Sequence, residues 1–159
     1  MKDIICFDDK GFHKKLGFTS VINCKDLEIV FGGSERVNRN AVENNKVDIL
    51  VNAERNENKD LLHYRNSGLN QVLCKLAHQN NVTIGFSFSE ILKSKERSVL
   101  IGRIMQNIKL CRKYKVKMVF STFAKNKYEM RDARDLIGFC RVLRMTGKEA
   151  KEALDFEKS

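Results

Sequence analysis

The chain contains no proline and only three histidines. Average proteins carry about 5% proline. Its absence here, beside many Lys, Asn and Ile, reflects genomic bias rather than mechanism. His13, His63 and His78 stand far apart, and none lies within metal-ligand spacing of another. A His-rich metallohydrolase signature is therefore missing. So are a P-loop, a G-x-G-x-x-G turn and a G-x-S-x-G elbow. No stretch approaches the ~20 apolar residues of a membrane span. The start, MKDIICFDDK, has a short apolar run only, so no signal peptide is expected. The five cysteines, Cys6, Cys24, Cys74, Cys111 and Cys140, are odd in number, with no two close in sequence. That predicts free thiols in a reducing, cytoplasmic compartment, with no disulfide framework and no zinc site.

What the chain has in excess is positive charge. Lys and Arg number 30 against 20 Asp and Glu, a net charge of +10. The excess is spread over the whole chain, so the folded surface itself would carry the field. A polyanion, and first of all nucleic acid, is the expected partner. The competing explanation is a basic surface kept for solubility. The 159 residues fit one domain, spanning 1–159, and can bury a real core.

The order of elements is that of an α/β fold. Strands are expected over 3–7, 18–23, 27–31, 47–52, 82–88 and 116–121. A basic helical turn or two fills 9–16. Gly32-Gly33 ends the third strand, and Ser34 can cap a helix from about Glu35, with Val37 and Val42 inward. Ser94 or Ser98 opens a long helix to about Tyr114. Ile101, Ile104, Met105 and Ile108 line its apolar face, with Arg103, Lys109 and Lys113 turned away. Asp132 or Asp135 can cap a helix carrying Leu136, Ile137, Cys140 and Leu143. Thr146 to Glu149 has capping-box spacing before a last short helix. Asn23 and Leu27 lie too close for a parallel crossover. Either one flanking strand lies outside the sheet or that pair is antiparallel.

The centre of the pattern is Val47 to Leu92. A β-branched strand leads into a long polar loop, 52–66. Leu69, Val72, Leu73 and Leu76 then mark one helix face, and a second strand follows. This is a βαβ unit, whose strands are parallel. At the loop–helix junction, Asn66 or Ser67 can cap the first turn, leaving N–H groups for an anion beside Arg65. An ordinary capped helix with a solvated arginine is the alternative.

Three segments carry a family resemblance: GGSERVNRNAVENNKVDILVN (32–52), NSGLNQVLCKLAHQNNVTIGFSFSEIL (66–92) and VKMVFSTFAKNKYEMRDARDLIGFCRVL (116–143). In this order the chain resembles ribonuclease P protein component 3, the archaeal relative of the thirty-kilodalton eukaryotic subunit. Gln71 stands where the family's S-G-x-x-H pattern has His, and Phe123 where S-T-D-A has Asp. The resemblance implies a TIM-like α/β barrel of the phosphoesterase-related type. A full barrel takes about 250 residues, so a reduced or partly open one is expected. It implies a role in binding the catalytic RNA of ribonuclease P, with protein component 2 and other ribonuclease P proteins, during removal of 5′ leaders from precursor tRNA. The catalytic magnesium would sit on the RNA, with no cofactor bound by the protein and no membrane partner. A small metal-dependent phosphoesterase is the alternative, and a basic scaffold for proteins a third. If the strand ends gather into one rim, RNA phosphates would meet Arg36, Arg39, Arg65 and Lys125 there, with Ser67 and Gly68 offering backbone N–H groups.

Overall fold

The computed structural model describes residues 1–158. The βαβ unit is as expected. Strand β4 (Ile49–Val51) is buried on both faces, and helix α2 (Gln71–Gln79) returns the chain to β5 (Thr83–Ser87). The two strands pair in parallel, Ile49 with Thr83 and Val51 with Gly85. On their outer sides lie β3 (Ile29–Phe31) and β6 (Met118–Ser121), giving the order β3-β4-β5-β6, all parallel. A second sheet pairs β1 (Lys2–Ile5) with β2 (Ser20–Asn23), again in parallel.

This resolves the short connection between the second and third strands. The sheet breaks there: β2 belongs to the two-stranded sheet and β3 to the four-stranded one, joined by a 3-10 turn, Cys24–Asp26. At the other side, β1 lies against β6. The contact includes a backbone bridge, Ile5 to Ala124, a hydrogen bond from Ile4 N to Ser121 Oγ at 2.6 Å, and a buried carboxylate. Asp3 accepts from the Ser121 hydroxyl, from Thr122 N at 2.8 Å and from Thr122 Oγ1 at 2.6 Å. Burial pushes its carboxyl up, and these hydrogen bonds oppose the rise.

The remaining helices are α1 (Glu35–Glu43), α3 (Phe88–Lys93), α4 (Arg97–Tyr114), α5 (Ala133–Val142) and α6 (Gly147–Ala153). Ser34 caps α1, Asp132 caps α5 and Thr146 closes a capping box with Glu149 on α6. The main core joins Leu50, Ile84, Phe86 and Phe120 of the sheet to Val42, Leu73, Ile104 and Leu136 of the helices. Such dense apolar contact is the dominant favourable contribution to folding.

Four expectations need correction. Val37 and Val72 are 38% and 49% exposed. The stripe α1 buries is Asn38, Ala41 and Val42, and that of α2 is Leu73, Cys74 and Ala77. Arg103 does not face solvent but is buried, 6% exposed. The cap of α2 is Asn70, whose Oδ1 accepts from Val72 N and Leu73 N, both at 2.9 Å. Finally, Cys6 and Cys24 form a disulfide, with Cα atoms 5.0 Å apart. Each follows one residue of the Ile5–Asn23 register pair, so the parallel pairing itself sets them side by side. Cys74, Cys111 and Cys140 are free and buried.

Candidate nucleic-acid interface

The loops leaving the carboxyl ends of the strands enclose a cavity of about 1020 Å³. It is the mouth of the fold, where an α/β sheet places its ligands. Five basic side chains line it, Lys25, Arg55, Lys93, Lys95 and Lys125, against two carboxylates, Glu90 and Glu96. Arg55 pairs with Glu90 at 3.2 Å, and Lys93 with Glu129 at 2.7 Å. Glu129 also accepts from Lys125 N at 2.9 Å, and these hydrogen bonds and the Lys93 ammonium hold its carboxyl low against its partial burial.

The lining also holds Asn52, Ser87, Ser89 and Phe123. Ser89 Oγ donates to Thr122 O at 2.6 Å, which ties the β5 and β6 loops together. Asn52 and Phe123 carry positive φ, 59° and 47°, one and two residues after their strands. Such backbone persists only where the surroundings enforce it.

A second basic surface lies outside, between the 64–71 segment and α4. Its groove encloses about 750 Å³ and is lined by Arg65, Lys109, Arg112, Lys113 and Arg144. Arg112 is engaged with Glu149 through two hydrogen bonds, at 2.7 and 2.8 Å. That pairing holds the Glu149 carboxyl down at about 2. Arg65 lies across Gly102 of α4, in space a Cβ there would fill.

The six residues expected on one rim are thus divided. Lys125 lines the mouth and Arg65 the outer groove. Arg36 and Arg39 stand exposed on α1, with Arg39 bonded to Glu43 at 2.8 Å. Ser67 is fully buried and does not offer its N–H to an anion. That N–H donates to Arg65 O at 2.9 Å, and its hydroxyl accepts from Gln106 Nε2 at 2.9 Å. Gly68 serves a turn, at φ 79°, so close beneath the Ala53 carbonyl that a Cβ would collide with it. Asn38 knots these loops. Its Nδ2 donates to Ala53 O and Gly68 O at 3.0 and 3.1 Å, and its Oδ1 accepts from Gly33 N at 2.9 Å.

Lys25, Arg55, Lys93 and Lys95 were not expected in the site. They come from three separate stretches, and only the strand order brings them together. Among the described residues, no three His, Cys, Asp or Glu side chains converge to hold a metal ion.

The model of the family described as RNase P subunit p30 matches residues 4–158. This chain belongs to that family. It is 37% identical to ribonuclease P protein component 3 of Methanosarcina acetivorans over 134 residues, 83% of this chain and 53% of that protein. The corresponding protein of Methanosarcina mazei is 39% identical over 132 residues, 82% of this chain and 51% of the other. The chain spans about half the length of these curated relatives. It also superposes on a chain in a cryo-EM structure of archaeal ribonuclease P with mature tRNA. The TM-score is 0.71 at 26% identity, covering 96% of this chain and 76% of that one. The family segments quoted above supply the knot at Asn38, the buried turn at Ser67-Gly68 and the Ser121-Thr122 seam.

Proposed function

We propose that the chain is a non-catalytic RNA-binding subunit of ribonuclease P that supports the catalytic RNA in removing the 5′ leader from precursor tRNA. The observation that carries this reading is the superposition of 96% of the chain on a chain of archaeal ribonuclease P with mature tRNA. The family match over residues 4–158 agrees with it. Two basic surfaces supply the electrostatics that a polyanionic partner requires. In this reading 1–159 is one domain, a partly open TIM-like barrel of the phosphoesterase-related type, held at the β1–β6 seam and open between β2 and β3. Its partners are the ribonuclease P RNA, protein component 2 and other ribonuclease P proteins, with precursor tRNA met through the complex. Magnesium acts on the RNA, and the compartment is the cytoplasm. No feature of the mouth favours the phosphoesterase reading.

The test is reconstitution. The chain, the RNA and component 2 are combined, and release of the 5′ leader from precursor tRNA is measured. Cleavage should rise when the chain is added and stay flat with component 2 alone. No change on addition would overturn the proposal. Metal-dependent turnover of phosphoesters by the isolated chain would favour an enzyme instead.

A further inference from the structure

The mouth holds features that a general phosphate surface does not need. Phe31, the last residue of β3, lines it and is 53% exposed. An aromatic ring left open at a cavity wall is a stacking platform for a base. Lys25, Lys95 and Lys125 have no ion-pair partner among the described residues, which leaves them free to meet a phosphate. Asn52 is 5% exposed, and its Oδ1 has no hydrogen-bond partner. A buried amide oxygen without a donor is costly unless a ligand supplies one.

The backbone makes the same distinction. Five non-glycine residues have positive φ: Asn52, Asn81, Lys115, Phe123 and Arg144. Asn81, Lys115 and Arg144 each follow a helix end, where this conformation is common. Asn52 and Phe123 follow strands instead, and both line the mouth.

We propose that the mouth binds one unpaired nucleotide. Its base stacks on Phe31, its base edge meets the Asn52 amide, and its phosphate is met by Lys95 and Lys125. An Asn amide pairs an acceptor with a donor, which matches the edge of adenine. The inference rests on the RNA-binding reading only for where the nucleotide comes from. It is either an extruded or terminal residue of an RNA, or a free mononucleotide.

Calorimetric titration of the full chain tests this with five probes: adenosine 5′-monophosphate, inorganic phosphate, short single-stranded oligoadenylate and oligouridylate, and a blunt RNA duplex. The expected result is saturable binding of oligoadenylate, tighter than the duplex. Phe31→Ala should weaken it about tenfold. Asn52→Gly keeps the left-handed backbone while removing the amide, and it should abolish the preference for adenylate over uridylate oligomers. Both variants are checked for an unchanged melting profile, and if Asn52→Gly unfolds, Phe31→Ala at its exposed site decides alone. Equal binding of the monophosphate and the oligomer would assign the site to a free nucleotide; oligomer binding alone would assign it to RNA. If oligoadenylate binds the Phe31→Ala variant as it binds the parent, the nucleotide proposal is overturned. The ribonuclease P reading is then untouched, because it is judged by leader release.

Discussion

The Arg103 guanidinium donates to the Asp60 carboxylate at 2.8 Å, across 43 residues of sequence. The same group donates to the carbonyls of Glu54 and Asn56 at 3.1 and 3.0 Å and to that of Asn58. One buried side chain on α4 thus holds the loop after β4 in place. Loops of this length usually lack a fixed form unless something organises them. Arg103→Met should lower stability by roughly 2–4 kcal/mol, since it leaves one buried and three part-buried acceptors without this donor. It should also expose the 54–62 segment to limited proteolysis. Unchanged stability with an intact loop would show that the clamp is not needed.

The two faces of α2 give a paired test. Leu73 is 3% exposed and Val72 is 49% exposed. Leu73→Ala should cost about 2–5 kcal/mol by denaturant unfolding, and Val72→Ala within about 0.5 kcal/mol. Equal losses would mean that both sides of the helix are packed.

The Cys6–Cys24 link closes a loop of 18 residues. A loop of this size stabilises by about 3 kcal/mol, chiefly through the unfolded chain. Cys24→Ser and reduction of the parent should lower the unfolding midpoint by the same amount. Reduction that leaves the midpoint unmoved would mean the thiols are unpaired in solution.

Much of this architecture was legible in the sequence, for reasons of period and chemistry. The β4–α2–β5 unit declared itself by apolar spacing, and Ser34 and Thr146 by capping residue type. Arg103 was misread because α4 is buried on two sides. Ile104 and Ile108 pack into the main core, while the long loop covers Gly102, Arg103 and Asn107. A single amphipathic stripe cannot describe such a helix. The Cys6–Cys24 pair depends on strand register, which sequence spacing does not reveal. Lys25, Arg55, Lys93 and Lys95 are spread over about seventy residues, and each alone resembles any surface cation. Ser67 looked like an anion-binding cap because a small residue before a helix is ambiguous. Only the fold shows that Gln106 and Asn107 close over it.

Glu54 is fully buried, and loss of water raises its carboxyl to about 7. Its Oε2 has no partner, and neither has Oδ1 of the neighbouring Asn107. A raised acid pKa means that the native state keeps a proton the unfolded chain has lost. Stability should therefore fall as pH rises from about 4.5 to about 7, and then level off. The full effect is on the order of 3 kcal/mol. Glu54→Gln keeps the shape without the charge. It should flatten this slope and make the protein more stable than the parent at pH 8. Denaturant unfolding at pH 5 and pH 8 measures both. A slope equal in parent and variant would place the titration elsewhere.

The last prediction concerns which cations meet RNA. Phosphate contacts release counterions, so binding should weaken with salt by a slope of roughly 0.7–0.9 per neutralised phosphate. Arg65 on the outer groove and Lys125 in the mouth are both exposed, and among the described residues neither side chain has an ion-pair partner. Arg65→Ala and Lys125→Ala should each lower the slope by about one. Arg39→Ala should lower it less, because its guanidinium is already bonded to Glu43. Ser67→Ala provides the contrast. Its hydroxyl accepts from Gln106 in the interior, so its loss should cost about 1 kcal/mol of stability and leave the slope alone. Fluorescence anisotropy of labelled ribonuclease P RNA across a salt series supplies the slopes. If Lys109→Glu abolishes binding while Lys125→Ala binds like the parent, the RNA lies along α4 and not across the mouth. A Ser67→Ala variant that loses RNA affinity at unchanged stability would show that the hydroxyl meets RNA despite its burial.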